Sequence, residues 1–258
     1  MLFRKLNLDW RYAITELVIV IAGVLIALAA DGCAEQRSER ELERRYLTDL
    51  ATDLGADTTE VNNVIALAES RALLGHAVLR AIDEDTVLNA GELAAAVERQ
   101  MYFTYPAYSR ATISDLMSTG NLRLITDQAL KRRLSEYYQT IERLEQWSGN
   151  WRQIQMDMER LLPELLDIRQ REGLLHESAP TAGFSGPTRV QSFPWAPRFE
   201  ITEEEGLRIL QRLRAHPEAR ARIEGMIRIQ ATLYGQLLAI KSRAAETLEA
   251  VESALGAP

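Results

Sequence analysis

The chain has 258 residues, a formal net charge of −7, and 47% hydrophobic against 26% charged side chains. This composition excludes a disordered or collagen-like polymer, and the negative balance supplies no global positive field, so nucleic acid is not expected as a partner. One cysteine, Cys33, excludes an internal disulfide framework, and three scattered histidines leave little for a metal cluster; no metal or cofactor is expected.

Residues 1–11 form a short flank containing Arg4, Lys5 and Arg11. Tyr12 to Ala30 then reads YAITELVIVIAGVLIALAA, 19 residues with one charge, Glu16. At 1.5 Å per helical residue this covers about 28 Å, close to the hydrocarbon thickness of a bilayer. Trp10 and Tyr12 fall where an aromatic belt lies, so the segment reads as a transmembrane helix with the lipid bilayer as its partner. Two other readings stay open. Ala27-Leu28-Ala29 resembles a signal-peptide cleavage site, which Glu16 inside the apolar region opposes, and Ala30-Asp31-Gly32-Cys33 resembles a lipobox, which Asp31 fits poorly. Basic residues are nearly balanced across the span, but Asp31 to Gln36 carries none, which favours a cytoplasmic amino terminus.

Residues 31–258 read as one helical domain. Leu47, Leu50, Leu54, Val61, Val64 or Ile65, Ala68, Ala72, Leu79 and Ile82 recur at steps of three and four, a seam packed on other helices. No proline interrupts the run to Asp83, so the membrane segment and the first long helix are expected to be continuous. A short helix is expected over 91–105, ended by Pro106, and a third from Tyr108 to Thr119, stopped by Gly120-Asn121 in a glycine turn. Leu130, Leu134, Tyr137, Ile141, Leu144, Trp147 or Ser148, Trp151, Ile154, Met158, Leu161, Leu165 and Ile168 predict a helix of over forty residues from Asp127, bent near Pro163. Residues 173–201 carry four prolines and no helical period, an irregular crossover. Thr202 and Glu205 form a capping box opening a helix that ends near His216-Pro217, and Ile223 to Leu255 marks the last long helix. The expected fold is all-α: one amino-terminal transmembrane helix followed by an elongated bundle of long antiparallel helices.

Two stretches carry a family resemblance. The first comprises Glu16-Leu17-Val18, Gly23 through Leu28, then Glu43, Tyr46, Leu47, Leu50, Asp53, Leu54 and Asp57. The second runs from Thr112 through Ser114, Asp115, Gly120 and Asn121 to Ile125, with Leu130, Leu134, Tyr137 and Tyr138 after it. In order and spacing they resemble an uncharacterised family of bacterial single-span membrane proteins catalogued only as a domain of unknown function. Cys33 stands where a tryptophan is expected just after the span. The resemblance implies a membrane-anchored helical protein and no reaction.

Candidate functional residues are few. Glu16 is a carboxylate near the membrane edge, where a contact with another helix or with headgroups would hold it. Gly23 and Ala27 are a small-xxx-small pair that permits close helix approach. Asp57 falls on the apolar seam of the first long helix, where it either fixes partner register as a buried polar group or, the reading we favour, marks a locally exposed seam. Tyr102, Phe103, Tyr105 and Tyr108 form the densest aromatic run, suited either to capping a bundle core or to lining a ligand pocket. His76, His176 and His216 lack the Glu-x-x-His spacing of di-iron bundles, Gly183-Phe184-Ser185-Gly186 lacks the spacing of a nucleophile elbow, and no phosphate loop occurs, so catalysis is not expected. The expected function is a membrane-anchored interaction or scaffold module that self-associates or docks an unknown protein. It is placed in a bacterial inner membrane with most of the chain periplasmic. The alternative is an extracytoplasmic ligand-sensing bundle built on the aromatic run and acting through a partner.

Overall fold

The computed structural model describes residues 10–84, 89–171 and 201–256, and side chains from residue 14 onward within them. These residues form helices and no strand. Helix α1 spans Trp10–Glu84, 75 residues or about 110 Å, and joins the apolar segment to the domain without a break. Helices α2 (Ala90–Arg99) and α3 (Ala111–Ser118) follow, then a 3-10 turn at Asn121–Leu124 and helix α4 (Gln128–Leu165). Helices α5 (Glu203–Ala215) and α6 (Ala219–Gly256) complete the described chain. The crossover expected at 173–201 lies outside the described residues, apart from Ile201.

The three long helices do not simply alternate in direction. Arg44 Nη2 donates to the Leu255 carbonyl at 3.3 Å, and Arg220 pairs with Asp83 at the opposite end, so α6 is antiparallel to α1. Arg133–Glu246 and Arg222–Asp157 ion pairs make it antiparallel to α4 as well. Helices α1 and α4 therefore run the same way. The chain returns between them through α2, an extended stretch and α3, so within the expected all-α bundle the long α6 is antiparallel to both α1 and α4.

The core follows the seam on α1, where Leu47, Leu50, Leu54, Val61, Val64 and Ala68 are all buried. Beyond Ala68 the three-four stepping passes through Arg71, Gly75 and Val78 rather than through Ala72 and Leu79. Gly75 lets α6 approach closely, since a Cβ there would lie 2.6 Å from Ile227 Cγ1. On α4 the seam runs through Leu144, Ser148, Trp151 and Met158, so of Trp147 or Ser148 it takes the half-buried serine, while Ile154 and, past the helix end, Ile168 are 41% and 67% exposed, against expectation. Helix α4 also ends earlier than expected, at Leu165, two residues past Pro163, and has 38 residues rather than over forty.

Local chemistry sets the other boundaries. Asn89 caps α2 by accepting the Glu92 N–H at 2.7 Å. The helix stops at Arg99 instead of reaching Tyr105, because Tyr102-Phe103-Thr104-Tyr105 favours extended backbone and Pro106 bars the residue before it from helix. Helix α3 starts at Ala111, later than Tyr108, with Ser109 already committed to another partner. The Thr202/Glu205 capping box opens α5 as expected.

Gly120 adopts φ 74°, the left-handed conformation expected of it, between α3 and the 3-10 turn. Open space surrounds its Cβ direction, so substitution there acts through backbone strain alone. Gly120→Val should destabilise the protein by about 1–2 kcal/mol, whereas Gly91→Val, inside the first turn of α2, should not introduce that strain. Equal melting temperatures for the two variants would contradict this.

Candidate functional site

The polar content of the bundle interior gathers around residues 101–110, an extended strap between α2 and α3. Two seam positions of α1 are polar, Asp57 and Arg71, and both hold it. Asp57 is fully buried, its Oδ1 accepting the Ser109 N–H at 2.7 Å and its Oδ2 accepting the Tyr137 hydroxyl of α4 at 2.7 Å. Arg71 Nη1 donates to Thr104 Oγ1 at 3.0 Å. Fourteen helical residues separate the two, about 21 Å; the five residue steps from Thr104 to Ser109 cover about 17 Å when extended, and the side chains of Arg71 and Asp57 span the rest. The strap thus runs down the seam of α1, opposite in direction to it.

Other elements complete its seat. Gln230 Nε2 of α6 donates to the Tyr102 carbonyl at 2.7 Å, and Tyr105 stacks on Trp151 of α4 with ring centroids 6.1 Å apart. The Tyr102 hydroxyl donates to Glu98 Oε1 at 2.9 Å, and Arg171 pairs with Glu98 Oε2 at 3.2 Å, so this buried carboxylate is neutralised. Burial together with the Glu98 charge pushes the Tyr102 phenol up to about 12, which keeps it a hydrogen-bond donor across the physiological range. Burial lowers the Arg71 guanidinium to about 10, so it remains a cation at neutral pH.

Asp57 is the exception to this pairing. Burial raises its carboxyl above the ordinary value, with the neighbouring Asp53 charge adding to the shift and the Ser109 and Tyr137 hydrogen bonds opposing it. No cation is among the groups acting on it. The expectation that the seam is locally exposed at Asp57 is therefore wrong: the side chain is interior and bridges α1, the strap and α4.

The sequence-predicted aromatics all belong to this strap, but as packing rather than as a pocket wall. Tyr102, Phe103, Tyr105 and Tyr108 are partly buried against the core, and Phe103 meets Tyr105 edge-on at 5.4 Å. A cleft of about 550 Å³ lies elsewhere, between α4 and α6, lined by Arg132, Arg133 and Arg243 together with Glu136 and Glu246. Among the described residues no three His, Cys, Asp or Glu side chains converge as a metal site.

The membrane-helix candidates are not brought together with any of this. Glu16, Gly23 and Ala27 lie on a part of α1 that is exposed on every side, and a Cβ at Gly23 would meet nothing within 4 Å. Residues 14–38 are all exposed, and the first contacts with the domain come at Glu39, which pairs with Arg123, and Glu43, which accepts the Thr126 N–H. Ile19, Leu25 and Ile26 are 60% exposed or more. This stretch is long and apolar enough to cross a membrane.

Sequence reasoning did not find Arg71, Glu98, Gln230 or the role of Ser109. A signal existed for Arg71 and Asp57, since both occupy positions that the three-four stepping reaches from Leu54 and Ala68. Comparison of the chain with family models, curated proteins and solved structures finds no match.

Proposed function

We propose that this chain is a single-span membrane protein whose helical domain serves as an interaction or scaffold module, acting by contact rather than by catalysis. One observation carries the reading: an apolar stretch of α1 exposed on all sides continues unbroken into the helix that forms the spine of the domain. Exposed apolar surface of that extent is unfavourable in water, and a bilayer relieves it. The resemblance to bacterial single-span proteins and the basic flank before the span support an inner-membrane location with the domain on the periplasmic side. Gly23 and Ala27 give the span a surface that a second copy or a partner helix can approach closely, and Glu16 offers such a helix a hydrogen-bond acceptor.

The full chain is expected to stay with membranes after alkaline carbonate washing, and a chain beginning at Asp31 to be soluble. Cys33, the single cysteine, is exposed just beyond the span and reports the orientation. A membrane-impermeant maleimide added outside spheroplasts should label it. Recovery of a mature chain beginning at Ala30 or Cys33 would overturn the anchor in favour of a cleaved leader or a lipoprotein.

A further inference from the structure

Three buried polar atoms on residues one turn from Asp57 or adjacent to its partners Ser109 and Tyr137 have no protein partner: Asp53 Oδ2, the Tyr108 hydroxyl and the Tyr138 hydroxyl. Tyr138 is only 9% exposed, packs edge-on against Tyr137 at 5.0 Å, and feels the charges of both Asp57 and Asp53. Tyr108 feels Asp57 in the same way. Buried polar groups in native proteins are nearly always satisfied by protein or by internal water, and a buried water needs two to four polar partners. A water held here would meet one carboxylate acceptor and hydroxyls that can both donate and accept.

The charge balance points the same way. Asp53 and Asp57 are one helical turn apart on the same face of α1, where two carboxylates repel if both are ionised. The groups acting on Asp57 are Ser109, Tyr137 and Asp53, none of them a cation. From the strap, Arg110 acts on Tyr108 and Tyr138, but it is ion-paired with Glu145 of α4 at 2.8 Å. Glu60 of α1 adds a further negative charge at Tyr108, and α6 contributes no titratable group to those acting on Asp57, Tyr137 or Tyr138. Asp57, fully buried beside a second carboxylate and without a compensating cation, is best neutralised by taking up a proton.

We propose that Asp57 is a proton-binding site inside the bundle, taking up a proton beside the Asp53 carboxylate, with ordered water seated against the Tyr108 and Tyr138 hydroxyls. The proton comes from solvent and returns to it, with no other bond made or broken. Because Asp57 also holds Ser109 and Tyr137, occupancy of the site bears directly on the strap that separates α1 from α4.

The test is an infrared pH titration of the full chain in detergent with carbon-13-labelled aspartate, which reports protonated aspartate carbonyls directly. In the wild type, one aspartate carbonyl signal is expected to persist above the ordinary aspartate range of about 4. Asp57→Asn should abolish it, and Asp53→Asn, at a half-buried position that accepts an amide, should move its titration to lower pH. Tyr138→Phe should change its frequency by removing one partner of the water. Circular dichroism checks that each variant keeps its helices. Titration of every aspartate within the ordinary range, or a persistent signal that Asp57→Asn leaves in place, would overturn the site. A signal insensitive to Asp53→Asn would overturn the part given to the Asp53 carboxylate.

Discussion

Asp57→Ala is expected to lower the stability of the domain by about 2–3 kcal/mol, while Asp57→Asn costs less than about 1 kcal/mol. Alanine leaves the Ser109 N–H and the Tyr137 hydroxyl buried without an acceptor, and such orphaned groups cost about 1–3 kcal/mol each, partly offset here by relief of a buried carboxylate. Asparagine keeps an oxygen for Ser109 and presents an N–H to the oxygen of Tyr137, so both contacts survive without the charge. The pH dependence has a definite sign. The Asp57 carboxyl is raised in the folded protein, so its contribution to stability is fully present below the unfolded value of 3.8 and is lost as pH rises through the folded value. Melting temperatures of wild type and Asp57→Asn, measured side by side from acid to neutral pH, should therefore diverge in favour of the variant as pH rises. Parallel curves would sink this account of Asp57.

The parts of the fold visible in the sequence are those where one chemical signal acts locally. The α1 seam from Leu47 to Ala68, the Gly120 turn and the Thr202/Glu205 capping box each depend on residues within a turn or two of one another, and the structure realises them. Failures come where a polar residue occupies a seam position for the sake of a distant partner. Asp57 bonds Ser109 and Tyr137, fifty-two and eighty positions away, and no periodicity in α1 encodes that. The same cause misplaced the end of α2 and the start of α3. Aromatics at 102–105 fit a helix face by spacing, but their backbone is extended because α1, α4 and α6 each grip it from outside. The aromatic run, open in sequence to core capping or to a pocket, packs against the core as part of that strap. Parallel α1 and α4 are a consequence of that strap, since its return path occupies the length that a direct hairpin would have omitted.

The other large effect is expected at the end of the bundle farthest from the exposed apolar stretch of α1, at Gly206. Helix α5 closes this end: Arg214 Nε and Nη2 donate to the Ile82 and Ala81 carbonyls at 3.0 and 3.1 Å, and Arg212 Nη1 donates to the Leu165 carbonyl at 3.3 Å. These are carbonyls at the carboxyl ends of α1 and α4, which lack intrahelical donors and lie at the negative pole of each helix, so two arginines of one short helix serve two long ones. To reach both, α5 must lie directly on α2. A Cβ at Gly206 would stand 2.5 Å from Ala90 Cβ and 2.8 Å from Ala90 Cα, and the second of these is backbone that cannot swing aside. Gly206→Ala should consequently cost about 1–3 kcal/mol, although alanine is intrinsically the better helix former by about 1 kcal/mol. Gly225→Ala in α6, where nothing lies within 4 Å of the new Cβ, should instead stabilise by up to about 1 kcal/mol. Hydrogen exchange should place the Gly206→Ala damage in α2, α5 and the last turns of α1 and α4, with the seam from Leu47 to Val61 still protected. If Gly206→Ala melts no lower than wild type, α5 does not sit on α2 at that separation, and the arginine capping of α1 and α4 loses its geometric basis.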